Sequence, residues 1–162
     1  MTRAYIALGA NLGDPVATIH AAIEALRGLP QSQLIASSSL YRTAPVGLHN
    51  QPDFINAVAS IETQLDARQL LDELFLVEAR FGRKRTVANA PRTLDLDLLL
   101  LGNVVSNDPL LTIPHPRMHL RAFVLAPLLE IAPDLSLPGH GDIRTLLKGC
   151  NEQQIEALTV TV

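Results

Sequence analysis

Thr93-Leu94-Asp95-Leu96-Asp97-Leu98-Leu99-Leu100-Leu101 is apolar from end to end except for its opening threonine and two aspartates set two residues apart. A run this short, with the loop Arg83 to Arg92 before it and Gly102-Asn103 after it, predicts a buried strand. Gly102-Asn103 turns the chain toward Val104-Val105, so the reading is of a central strand followed by a hairpin. Successive strand residues point to opposite faces, which puts Asp95 and Asp97 together on one face and Leu94, Leu96 and Leu98 on the other. The leucines need a core beneath them, and whatever the aspartates face must accommodate two negative charges.

Working backward, Asp66 can cap a helix whose apolar residues Leu70, Leu74, Val77 and Phe81 recur at intervals of 4, 3 and 4, with Gly82 as a stop. Phe54 to Thr63 alternates with Ile55, Ala57, Ala59 and Ile61 on one face, and Leu34 to Thr43 reads as another strand. The loop Ala44 to Asp53, with two prolines and a glycine, lies between them. Arg3 to Leu8 is a first strand, ended by Gly9-Ala10-Asn11-Leu12-Gly13, which reads as a structural turn. Asp14 and Pro15 then open a helix carrying Val16, Ile19, Ile23 and Leu26, ending near Gly28. Strand, helix, strand, strand, helix, strand is the split βαβ order. It predicts an α+β fold with a ferredoxin-like βαββαβ core, an antiparallel sheet with both helices packed on one face. Leu120 to Ile131 around Pro127, the turn Pro138-Gly139-His140-Gly141 and the short helix Ile143 to Lys148 predict C-terminal helical and hairpin additions.

At 162 residues and 48% hydrophobic content, the chain can bury one sizeable core, so a single domain spanning residues 1–162 is expected. A net charge of -3 and a pI near 5.9 give no global field for nucleic acid or an anionic membrane. The opening Met1 to Asp14 matches neither a secretory leader nor a membrane span, so a cytoplasmic location is expected. Cys150 is the one cysteine, which excludes an internal disulfide and a cysteine-rich metal site. His20, His49, His119 and His140 have no metal-ligand spacing and read as surface or packing residues.

A same-face carboxylate pair in an apolar strand needs a cation, a shared proton or solvent to offset the mutual repulsion. A hard divalent ion held by a pair of carboxylates, its other positions left to water and phosphate oxygens, is how magnesium usually meets a nucleotide. The competing reading is a solvated face on which the aspartates pair with arginines from neighbouring strands; the doublet alone does not separate the two. Its company favours a polyphosphate: Arg83, Lys84, Arg85 and Arg92 precede the aspartates and His115, Arg117 and Arg121 follow, in a chain that is acidic overall. At least one of Arg83, Lys84 and Arg85 also suits a basic helix C-terminus. No phosphate-cradling G-x-x-x-x-G-K-[ST] loop is present. Phe54 and Asn56 share a strand face, so a flat ring could stack on the first and be read by the amide of the second. Phe123 is a second candidate wall, and either phenylalanine could equally be core.

Ala90-Pro91-Arg92-Thr93-Leu94-Asp95-Leu96-Asp97 resembles the signature of the 6-hydroxymethyl-7,8-dihydropterin pyrophosphokinase family. Tyr5 to Gly9 with Asn11-Leu12-Gly13, Ser38 to Thr43, Gln51 to Asn56, Pro114-His115 and Arg121-Ala122-Phe123 fall in the family's order, so the resemblance covers roughly Ala4 to Pro133. It implies that Asp95 and Asp97 bind two magnesium ions, that Arg83 and Arg92 join them in catalysis, and that Glu78, Arg83, Arg85, Arg92, Leu98, His115 and Arg121 surround ATP. It further implies a pterin pocket of Thr43, Val46, Phe54, Asn56 and Phe123, and a protein that works as a monomer on small molecules. Asn89-Ala90 stands where members often carry tryptophan and glycine. The readings from other classes are a ferredoxin-like anion-sensing module and a D-x-D nuclease or glycosyltransferase, the latter weakened by the low pI and the lack of further matching acids.

Overall fold

The computed structural model describes residues 1–44, 50–82 and 93–158. The chain runs through β1 (Thr2–Ala10), α1 (Pro15–Arg27), β2 (Ser32–Ser37), β3 (Tyr41–Thr43), β4 (Phe54–Thr63), α2 (Ala67–Arg80) and β5 (Asp95–Leu101). The two helices begin where the sequence puts their caps. Asp14 accepts the Ala17 amide with Pro15 behind it, and Asp66 and Gln69 form a reciprocal capping box. The main sheet is antiparallel along β3, β4, β1 and β5, with β2 also on β4, which is the expected ferredoxin-like arrangement.

After β5 come β6 (Ser106–Asp108) and β7 (Leu111–Ile113), a 3-10 turn at Met118–Leu120, and α3 (Ala122–Ile131). The minimal hairpin β8 (Ser136–Leu137) and β9 (Gly141–Asp142), α4 (Ile143–Lys148) and β10 (Ile155–Ala157) complete the order. The sheet separates two cores. One holds Ile19, Leu26, Leu70, Leu74 and Val77 of α1 and α2 against Ile6, Leu8, Ile61, Leu96 and Leu98. The other holds Val124, Leu125 and Leu128 of α3 and Ile143 of α4 against Val58, Leu99 and Leu100.

Four expectations are corrected. Among the described residues β5 is an edge strand rather than a central one, and its second half, Leu98 to Leu101, is apolar on both faces because the molecule buries both sheet faces there. A bulge makes this possible: Ile6 pairs with Leu98 and Tyr5 with Leu100, so Leu99 is inserted between them and turns to the second core. Val104-Val105 does not return along β5. The Val104 amide reaches only the Leu101 carbonyl at 3.0 Å, and β6 and β7 pair with each other instead.

The run Leu34 to Thr43 is divided into β2 and β3, because Ser38 takes over the ladder with its side chain: its Oγ accepts the Val58 amide at 3.0 Å. Ser39, next to it, is held by Glu130 of α3, whose Oε1 accepts both its amide and its hydroxyl at 2.8 Å. The same carboxylate accepts the Tyr41 hydroxyl at 2.7 Å, and burial followed by that carboxylate pushes the phenol up to about 12. Finally, Gly9 and Ala10 belong to β1 rather than to a turn. Gly9 lies opposite Asn56 on one side and Asp95 on the other, so strand pairing on both edges overrides its low β propensity.

Candidate active site

Directly opposed residues of an antiparallel pair share a face. Asp95 therefore stands in a row with Gly9, Asn56 and Tyr41, and Asp97 in the next row with Ala7 and Val58. This is the face covered further along by α3. Both aspartates are half-buried at the start of β5, where helix cover ends.

Two backbone contacts fix the outer edge of β5 around them. The Leu96 amide, between the aspartates in sequence, donates to Glu78 Oε2 at 2.7 Å, and the carbonyl of the bulged Leu99 accepts the His115 amide at 3.0 Å. Glu78 is only 2% exposed, so α2 uses a buried carboxylate to satisfy a strand amide that has no neighbouring strand.

His115 is half-buried beside the aspartates. Its Nδ1 accepts the Arg117 amide at 3.2 Å, which leaves its proton on Nε2. Burial pushes its pKa down from 6.5 to about 4; Arg121 adds to the lowering, Asp95 opposes it, and Arg117 contributes last. Asp95, His115 and Arg121 are thus electrostatic neighbours. The Arg121 guanidinium lies 5.4 Å from the centroid of the Phe123 ring, so a cation and a flat aromatic wall meet at the start of α3.

Across the face, Asn56 Nδ2 donates to Thr43 Oγ1 at 2.8 Å, which fixes the amide with its oxygen on the Gly9 side. A Cβ on Gly9 would lie 3.1 Å from that oxygen, so the glycine keeps the floor between Asn56 and Asp95 low. Phe54 is half-buried opposite Thr43. Asn11, buried, donates to Gln51 Oε1 at 2.8 Å and to the Pro52 carbonyl at 3.0 Å, fastening the chain just before Phe54.

Behind the aspartates a cleft of about 240 Å³ opens between α2 and the β6–β7 hairpin. Leu71, Phe75, Leu98 and Leu111 line it, together with Asp97 and His115. Of the expected site residues, Asp95, Asp97, His115, Arg121, Phe123, Thr43, Asn56 and Phe54 thus gather on or beside one face. Leu98 faces the cleft and Glu78 lies under the edge of β5. Val46, Arg83, Arg85 and Arg92 fall outside the described residues.

The sequence reading missed Gly9 as a floor, Asn11 as a tether and the cleft itself. Only the register, which brings residues 9, 56 and 95 into one row, could have drawn attention to Gly9. His119 and His140, read as surface or packing residues, stack with ring centroids 3.7 Å apart, a packing contact.

The surroundings of His115 have a measurable consequence. A histidine with a lowered folded pKa binds its proton less well when folded, so its contribution to stability is present above 6.5 and is lost as pH falls through about 4. An imidazole NMR titration of the folded protein is expected to find His115 neutral at pH 5.5 with a midpoint near 4. A midpoint at the ordinary value would remove His115 from this environment.

Comparison with known proteins places the chain in a family. The family 7,8-dihydro-6-hydroxymethylpterin-pyrophosphokinase (HPPK) matches residues 5–133. A 2-amino-4-hydroxy-6-hydroxymethyldihydropteridine pyrophosphokinase of Haemophilus influenzae is 50% identical over 148 residues, 91% of this chain and 92% of that protein. Its counterpart in Pseudomonas aeruginosa is 46% identical over 156 residues, 96% of each chain. A crystal structure of an HPPK-DHPS in complex with substrates superposes with a TM-score of 0.72 over 93% of this chain and 44% of that one. At 15% identity, that likeness speaks for the fold. With the ordered motifs, the two-carboxylate strand and relatives matched over nearly their whole length, the chain belongs to the 7,8-dihydro-6-hydroxymethylpterin-pyrophosphokinase family.

Proposed function

We propose that the protein transfers a pyrophosphoryl group from ATP to the hydroxymethyl oxygen of 6-hydroxymethyl-7,8-dihydropterin, giving the pterin diphosphate and AMP in tetrahydrofolate biosynthesis. The relatives named for this activity match over nine-tenths of their length. The observation that carries the reading is the pair Asp95 and Asp97 on one face of β5, with His115 and Arg121 beside them and the Thr43–Asn56 pair across the Gly9 floor. We further propose that it acts as one domain, as a monomer and in the cytoplasm.

Asp95 and Asp97 are hard oxygen donors on adjacent rows of an open strand end, a donor set that suits magnesium rather than a softer metal. Asp95 and Asp97 would hold two magnesium ions, which would supply neutralisation of the triphosphate charge. The chain's own cations do the rest. Arg121 and the Nε2–H of neutral His115 donate to phosphate oxygens, and Arg83, Arg85 and Arg92 supply further donors to them. Glu78 acts through the strand, holding the Leu96 amide and so the spacing of the aspartates. The adenine enters the cleft lined by Leu71, Phe75, Leu98 and Leu111, with the phosphates toward Asp97 and His115, which also line it.

On the other side, Phe123 and Phe54 offer flat walls for the pterin, Val46 adds apolar contact, and Asn56 Oδ1 accepts from its ring N–H and amino groups. The alcohol oxygen, giving up its proton to solvent, then attacks the β-phosphorus in line. The bond between that phosphorus and the α–β bridging oxygen breaks, AMP carries the bridging oxygen away, and the β and γ groups move together. Positioning and charge stabilisation supply most of the acceleration in such a transfer.

Asp97→Ala removes one carboxylate from a partly exposed position, so the fold is expected to persist while turnover of ATP and the pterin alcohol falls by about three orders of magnitude. Near-normal turnover would remove the metal assignment. Gly9→Ala is expected to push the Asn56 amide aside and to weaken pterin binding by about three- to tenfold, with ATP binding by the pterin-free enzyme unchanged. Unaltered pterin affinity would place the pterin elsewhere.

A further inference from the structure

α3 begins without a side-chain cap of its own. Arg121 occupies the capping position with an extended backbone, φ -117° and ψ 109°, and its side chain makes no capping hydrogen bond. Helix starts normally use Ser, Thr, Asp or Asn there to satisfy the first amides, and an arginine offers no acceptor. The missing acceptor comes from the far end of the chain. Gln153 Oε1 accepts the Ala122 amide at 2.9 Å, and its Nε2 donates to the Leu120 carbonyl at 2.7 Å.

These two bonds bracket Arg121. A group that donates to the carbonyl before a residue and accepts from the amide after it repeats the pattern by which a parallel strand grips its neighbour. The Gln153 amide thus serves as a one-residue strand alongside Arg121 and holds its backbone extended. From that backbone Arg121 places its guanidinium over Phe123 and within electrostatic reach of His115.

The chain leaving Gln153 enters β10, where Ile155 pairs with Thr43 and Leu158 donates to the Leu40 carbonyl at 2.8 Å. Within a few residues, the C-terminal segment thereby touches the strand of Thr43 and the helix start of Arg121 and Phe123. It lies beyond the span 5–133 that the family matches.

We propose that Gln153 is a positioning residue of the active site: through Leu120 and Ala122 it fixes Arg121, and with it the cation and aromatic wall at the start of α3. Its link to turnover rests on the pyrophosphoryl-transfer reading above; its effect on Arg121 does not. Gln153→Ala removes both bonds, whereas Gln153→Glu keeps an acceptor for the Ala122 amide, favoured at a helix N-terminus, and loses the donor to Leu120.

Two readouts test this on the full-length protein. By NMR, the ring-current shift of the Arg121 side-chain protons over Phe123 is expected to collapse in Gln153→Ala and to be partly kept in Gln153→Glu. In steady-state assays, Gln153→Ala is expected to lower kcat/KM for the pterin alcohol by about tenfold, with Gln153→Glu intermediate. Combined with Arg121→Ala, the Gln153→Ala change should add far less than its effect alone, because it works through that residue. An unchanged Arg121 shift in Gln153→Ala, or fully multiplicative kinetic losses in the double variant, would overturn the proposal. A wild-type protein that leaves the pterin alcohol unchanged would instead overturn the functional reading, and the NMR test would still stand.

Discussion

The alternation of leucine and aspartate along β5 is the constraint on which the rest depends. Leu94, Leu96 and Leu98 are almost wholly buried against α1 and α2, and a slip of one residue against β1 would exchange them for the two carboxylates. Burial of the leucines therefore sets the position of the aspartates. The Gly9 to Asp95 and Ala7 to Asp97 pairings set their depth on the open face. Among the described residues β5 has β1 on one side only, and the Glu78 carboxylate and the His115 amide stand in for a strand on the other. Each of these edge contacts comes from an element that also lines the site or its cleft.

The second core has a different task. α3 packs over the same face that carries the aspartates but lies further along it, so its first residues, Arg121 and Phe123, overhang the open strand ends. Its last turn is pinned through Glu130 to Ser39 and Tyr41, and its first through Gln153 to the C-terminal segment. A helix held at both ends, with Val124, Leu125 and Leu128 buried beneath it, is a rigid support for a cation and a ring. On the proposed reading rigidity matters, because stabilising phosphate charge depends on donors already in place.

The helices and most of the strands were legible because they obey local rules: Asp14-Pro15 and Asp66 with Gln69 are caps, and β4 alternates cleanly. Asp95, Asp97, His115, Arg121 and Asn56 were legible as residue types that suit a polyphosphate and a flat ring, and the resemblance gave them roles. What the sequence hid was non-local. Gly9 looks like a turn glycine until residues 56 and 95 flank it. The leucine run of β5 looks central because its periodicity cannot tell two sheet neighbours from two helical layers. Ser38 breaks a strand only because the Val58 amide is there to be accepted. Gln153 has no local signature at all, since its meaning lies in the uncapped start of a helix 31 residues away.

The central claim is that these carboxylates and cations direct the attack to the β-phosphorus of ATP, which separates this protein from a kinase using similar ions and arginines. ATP labelled separately at the β and γ positions tests it in a single turnover with the pterin alcohol. The account predicts both labels in the pterin product in equal amount, with AMP as the adenine product. Label from the γ position alone, with ADP as co-product, would contradict it.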